Sequence, residues 1–150
     1  MRNIILLSIL SISLTAHAEV KVDQPWVRGT VAAQKATGAF MTLVSDKPIS
    51  LVGVSSPAAK IVEIHEMKMD KDMMSMKAVE KIDIVPGKPT ELKPGGYHVM
   101  LINLAKPLSK GDTVPLTLEF KTADGKITRQ EVTATVRDLT ARLDEHGKAK

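Results

Sequence analysis

The 150-residue chain contains no cysteine. Disulfide staples are excluded, and with them thiol redox chemistry, cysteine-rich zinc sites and the blue-copper centre, which needs a cysteine sulfur. Aromatic residues are scarce: one Trp, one Tyr and two Phe. Trp26 is therefore read simply as a core residue. There is no internal repeat, no low-complexity tract, and no amphipathic helical pattern of ordinary length. Gly-rich phosphate cradles are missing, and His65-Glu66-Met67 lacks the second histidine that a zinc-peptidase helix requires. No catalytic constellation emerges, and the chain is read as a non-enzyme. The net charge of +4 is carried by single lysines dispersed between acids. Such dispersion argues for a solvated surface and against a nucleic-acid footprint.

The N-terminus has Arg2, then an apolar run from Ile4 to Leu14, then Ala16-His17-Ala18. These are the basic, apolar and small-x-small regions of a secretory signal peptide. Serines interrupt the run, which falls short of the about 20 apolar residues a membrane-spanning helix needs. The expected organisation is a signal peptide over 1–18, a single β-domain over 19–137 and a flexible charged tail over 138–150. That organisation implies export and no stable membrane insertion after cleavage.

Short β-branched or alternating runs recur every eight to twelve residues with turn signals between them, the rhythm of a sandwich or barrel. Val20-Lys21-Val22 and Trp26-Val27-Arg28 read as strands separated by Gln24-Pro25. Further strands are expected over Gly38–Val44, Ile49–Val54, Ala59–Met67, Met73–Val79, Tyr97–Ile102, Thr113–Phe120 and Ile127–Val136. Lys68–Asp72, Pro86–Pro89 and Lys93–Gly96 read as turns or loops, and Asp124-Gly125 as a hairpin signal.

Against this regular background, Ile64 to Leu104 gathers two histidines and six methionines: Met67, Met69, Met73, Met74, Met76 and Met100. Alternation places His65 on the face opposite Ile64, near solvent or at a rim, and sets His98 and Met100 on one shared face about 7 Å apart. Met67, Met69, Met73, Met74 and Met76 lie among Glu66, Lys68, Asp70, Lys71, Asp72, Ser75 and Lys77. Methionine commonly fills gaps in cores, but five core methionines in so polar a neighbourhood would be surprising. Thioethers are soft ligands that select Cu(I), and imidazole adds affinity; calcium, magnesium and zinc favour other donor sets.

The spacing is His65, ten residues, Met76, twenty-one residues, His98, one residue, Met100. This H-x10-M-x21-H-x-M pattern, with the flanking IHEMKM, LKPGGYHVML and KGDTVPLTLEF segments, resembles the periplasmic copper chaperones of the PCuAC family. The resemblance implies an all-β, cupredoxin-like β-sandwich or Greek-key barrel. It also implies one Cu(I) per chain held by His65, Met76, His98 and Met100, with Met67 as an auxiliary or transfer ligand. The compartment the resemblance implies is the periplasm, and the implied partner is an apo copper protein, such as a cytochrome oxidase subunit or its assembly factor. Two other readings stay open on the residues alone: a copper-sequestering protein, and a metal-free β-sandwich interaction module. The tail departs from the His- and Met-rich extension of some family members, since only His146 and no methionine follows Met100.

Overall fold

The computed structural model describes residues 20–138. The expected signal peptide, and the expected tail beyond Asp138, lie outside the described residues. Among the described residues there are ten strands and no helix: β1 Lys21–Arg28, β2 Ala36–Val44, β3 Ile49–Ser55, β4 Ala59–Asp70, β5 Met73–Ala78, β6 Ile82–Ile84, β7 Thr90–Leu92, β8 Tyr97–Leu104, β9 Thr113–Thr122 and β10 Ile127–Arg137.

All ten belong to one sheet in the order β5-β4-β8-β7-β2-β1-β10-β9-β3-β6, with an additional β8–β2 pairing. Strands β1 and β10 pair in parallel, as do β7 and β8; the other pairings are antiparallel. Ile49 and Ile84, near one end of this order, share a buried cluster with Ile64 and Val99, near the other. The twisted sheet therefore folds over on itself around one core, which is the all-β, cupredoxin-like architecture expected from the sequence. The core follows period-two alternation: Val114, Leu116, Leu118 and Phe120 of β9 are buried, and so are Val99 and Leu101 of β8.

A second, smaller apolar cluster lies on the opposite face of the sheet. Trp26 and Phe40 are both buried there, with ring centroids 4.6 Å apart and tilted by 34°. Arg137 lies over Trp26 at 4.9 Å and Arg28 over Phe40 at 5.5 Å. The guanidiniums gain cation–π attraction while their stems shield the rings from water. Trp26 is thus a core residue as expected, but of this second layer, because Val27 takes the main-core side of β1.

Several boundaries differ from the sequence reading for local reasons. Strand β1 runs through Gln24-Pro25, with a register shift between Asp23 and Trp26 and a positive φ of 47° at Gln24. A bulge absorbs the missing proline N–H without ending the strand. The Lys68–Asp72 turn shrinks to Lys71-Asp72, where φ is 47° and 64°. Positive φ at both positions is the signature of the two-residue hairpin turn whose twist matches its strands. Strands β6 and β7 were not expected, since three residues are too few to display an alternation.

Candidate metal centre

Antiparallel pairing of β4 with β8 sets His65 directly opposite His98 and Glu63 opposite Met100. Strand β5 adds Met76 opposite Met67, and β2 sets Gly38 opposite Met100. Residues opposite one another, or two apart on one strand, share a face. His65, Met67, Met76, His98 and Met100 therefore all project from the face that carries Trp26 and Phe40, away from Ile64, Val99 and Leu101.

The two imidazole rings lie 5.6 Å apart, edge to face, and the His98 ring is 6.3 Å from Phe40. Beside them a groove of about 240 Å³ is lined by Met67, Met76, His98 and Met100, with Arg28, Gly38, Phe40 and Gly95 among its other walls. Gly38 keeps this space open: a Cβ there would stand 2.8 Å from the Phe40 ring. Sequence reasoning missed Gly38, Phe40 and Arg28, whose strands hold no histidine or methionine spacing to mark them.

Hydrogen bonds set both tautomers. His98 Nδ1–H donates to the Gly96 carbonyl at 3.2 Å, which leaves Nε2 as the lone-pair nitrogen. The same carbonyl accepts from the Met67 amide at 3.1 Å, so one oxygen orients His98 and ties β8 to β4. His65 Nε2–H donates to the Glu63 carboxylate at 2.7 Å. Its Nδ1 is buried without a hydrogen-bond partner. An orphaned buried acceptor is costly unless something else satisfies it, and a neutral imidazole braced by a carboxylate is the usual state of a metal-ligating histidine. Glu63 could have been picked out in the sequence as the same-face neighbour two residues before His65.

All four predicted ligands share one face, but they are not equivalent. Met76, His98 and Met100 line the groove, whereas His65 stands beside His98. Of the two expected positions, near solvent or at a rim, His65 takes the rim: its side chain is 12% exposed. Flanking β5 and β8 cover it from both sides. His98 is deeper still at 5% exposure, while Met76 is 48% exposed. Buried nitrogen at one end and exposed sulfur at the other give the arrangement a direction.

Burial holds the His98 pKa below its ordinary value of 6.5; the Gly96 hydrogen bond opposes the shift, and the Arg28 guanidinium, together with His65 whenever that ring is protonated, adds to it. A folded pKa below the unfolded one means the unfolded chain binds the proton more readily. Stability from neutral His98 is fully present above the unfolded value and is lost as pH falls through the folded one. The melting temperature of the metal-free protein is therefore expected to fall on acidification below about pH 6.5. His98→Gln should flatten that slope; an equally steep slope in the variant would assign it to other groups.

The LpqE-like family model matches residues 20–136. A protein of Leifsonia xyli subsp. xyli, named as a lipoprotein, is 28% identical over 122 residues, covering 81% of this chain and 71% of its own length. Among solved structures, the Cu(I) form of DR1885 from Deinococcus radiodurans is 35% identical with a TM-score of 0.61, and 81% of each chain is covered. The apo form of the same protein is 29% identical with a TM-score of 0.59, over 99% of this chain and 97% of that one. A copper-bound PCuAC domain from PmoF2 is 25% identical with a TM-score of 0.65, over 81% of this chain and 96% of that domain. The resemblance to the PCuAC family read from the sequence is thus borne out by the fold.

Proposed function

We propose that this chain, which belongs to the LpqE-like family and has the PCuAC fold, is an exported Cu(I) carrier that binds one ion through His65, Met76, His98 and Met100 and delivers it to apo copper proteins. The relatives' names support export, and the periplasm is the compartment the proposal assigns. The acceptor it assigns is a copper centre such as that of a cytochrome oxidase subunit or its assembly factor. The carrying observation is the convergence of thioether and imidazole donors on one face, with the His65 Nδ1 lone pair buried and unused.

The chemistry of the donor set fits a monovalent soft ion. All four ligands are neutral, so none of them supplies the negative charge that favours a doubly charged ion. Thioethers stabilise Cu(I), and no thiolate is present to support both oxidation states. Glu63 and Gly96 hold the imidazoles oriented, each with its other ring nitrogen free to ligate, so little reorganisation is needed on binding. Release follows from the exposure of Met76: an acceptor's ligand can replace its sulfur first, while the buried histidines still hold the ion.

Titration of the purified protein with Cu(I) against a competing chelator is expected to give one tight equivalent, and X-ray absorption a shell of mixed nitrogen and sulfur. A shell of oxygen and nitrogen only would overturn the assignment. Rapid exchange with an apo acceptor site distinguishes a carrier from a store, which would retain the ion, and from an interaction module, which would bind none.

A further inference from the structure

The β4–β5 hairpin carries methionines beyond the groove. Met69, Met73 and Met74 are 66%, 73% and 51% exposed. Apolar side chains this exposed add nothing to a core, and their sequence neighbours Lys68, Asp70, Lys71 and Asp72 are charged. The strand register gives them a definite arrangement. Met69 lies directly opposite Met74, and the next same-face pair toward the groove is Met67 opposite Met76. Asp70 and Met73 close the two-residue turn. The pair closing such a turn is the hydrogen-bonded kind, so the adjacent Met69–Met74 pair is of the close, non-hydrogen-bonded kind, with Cβ atoms about 4.5–5.5 Å apart. Two flexible thioethers at that separation can close on one ion between them.

From this geometry we propose that Met69 and Met74 form a second, outer site for a soft monovalent cation, Cu(I) or Ag(I). The Met67–Met76 pair then links it to the groove on the same face of the hairpin. Transfer along the hairpin is ligand exchange: one sulfur–metal bond forms as another breaks, the ion stays monovalent, and neither an electron nor a proton is exchanged. The outer site holds only thioethers and is open to water, so it binds more weakly than a mixed histidine and methionine set. A weak exposed site in front of a tight buried one suits capture followed by inward passage. The inference rests on the soft-cation reading of the groove only for the destination of the ion; the outer site itself stands on the hairpin.

The test is titration of the protein, ¹³C-labelled at its methionine methyls, with Ag(I) past one equivalent. Met76 and Met100 methyls should shift with the first equivalent, Met69 and Met74 with the second. In Met69→Leu/Met74→Leu the second equivalent should be lost and the first kept. Leucine preserves bulk at two exposed positions, so folding is not at issue. Met73→Leu, on the other face of the hairpin, should keep both equivalents. The proposal is overturned if the Met69 and Met74 methyls stay unmoved through several equivalents, or if the double variant still binds the second equivalent unchanged. Failure of the first equivalent to move Met76 and Met100 would instead count against the groove ligands, and would leave shifts at Met69 and Met74 as support for the outer site.

Discussion

Met100→Leu is expected to weaken Cu(I) binding by at least ~100-fold, since even changes in groups that merely support a ligand cost about 10–100-fold. The substitution deletes the sulfur while keeping an apolar side chain of similar volume, an exchange that usually costs less than about 1.5 kcal/mol of stability. Met100 is only half-buried. Its side chain stands between Glu63 of β4 and Gly38 of β2, so leucine meets no close-packed wall there. Thermal unfolding of the metal-free protein should therefore barely change while affinity collapses. Measuring both on the same samples separates the two effects. Unchanged affinity, or a loss fully accounted for by unfolding, would reduce Met100 to a packing residue and remove one sulfur from the proposed ligand set.

How far such a site can be read in a sequence depends on which face alternation reports. For His98 and Met100 a two-residue spacing sufficed, because Val99 between them is an unambiguous core residue and fixes the opposite face. The same logic separated His65 from Ile64. It did not reveal how deeply His65 is buried, because that depends on neighbouring strands: β5 returns along β4 only because Lys71 and Asp72 both take positive φ. Neither is the Asn or Gly that advertises such a turn, so the hairpin tip was read as a longer loop. Trp26 and Val27 posed a different difficulty. Both are buried, and a strand with apolar residues on both faces carries no polar mark to say which face meets which layer. The second apolar layer under the candidate site was invisible for that reason. The roles of Gly96 and Gly38 were equally hidden, one acting through a backbone carbonyl and the other through the side chain it lacks.

That second layer carries the prediction that ties the fold to the site. Phe40→Ala is expected to destabilise the protein by about 3–5 kcal/mol, the usual cost of deleting a buried phenylalanine ring. Phe40 and Trp26 make up their cluster between them, and Phe40 is 4% exposed. With so few apolar neighbours to collapse into the gap, the value should fall toward the upper part of that range. The cavity would open beside Gly38 and within reach of the His98 ring, whose centroid is 6.3 Å from that of Phe40. Arg28, which lies over the lost ring, would be free to move in the groove wall. Cu(I) affinity should therefore fall as well, through a loosened His98, even where the protein remains folded. Leu118→Ala supplies the comparison. Leu118 is fully buried in β9, in the main core, and its removal should cost about 2–5 kcal/mol without disturbing any wall of the groove. Denaturant midpoints and Cu(I) competition, both measured under conditions where each variant is folded, decide the matter. A selective loss of affinity in Phe40→Ala assigns the aromatic pair a positioning role for His98. Equal affinities in the two variants would mean that Trp26 and Phe40 stabilise the sheet alone, and that the Gly96 carbonyl by itself is enough to orient the histidine.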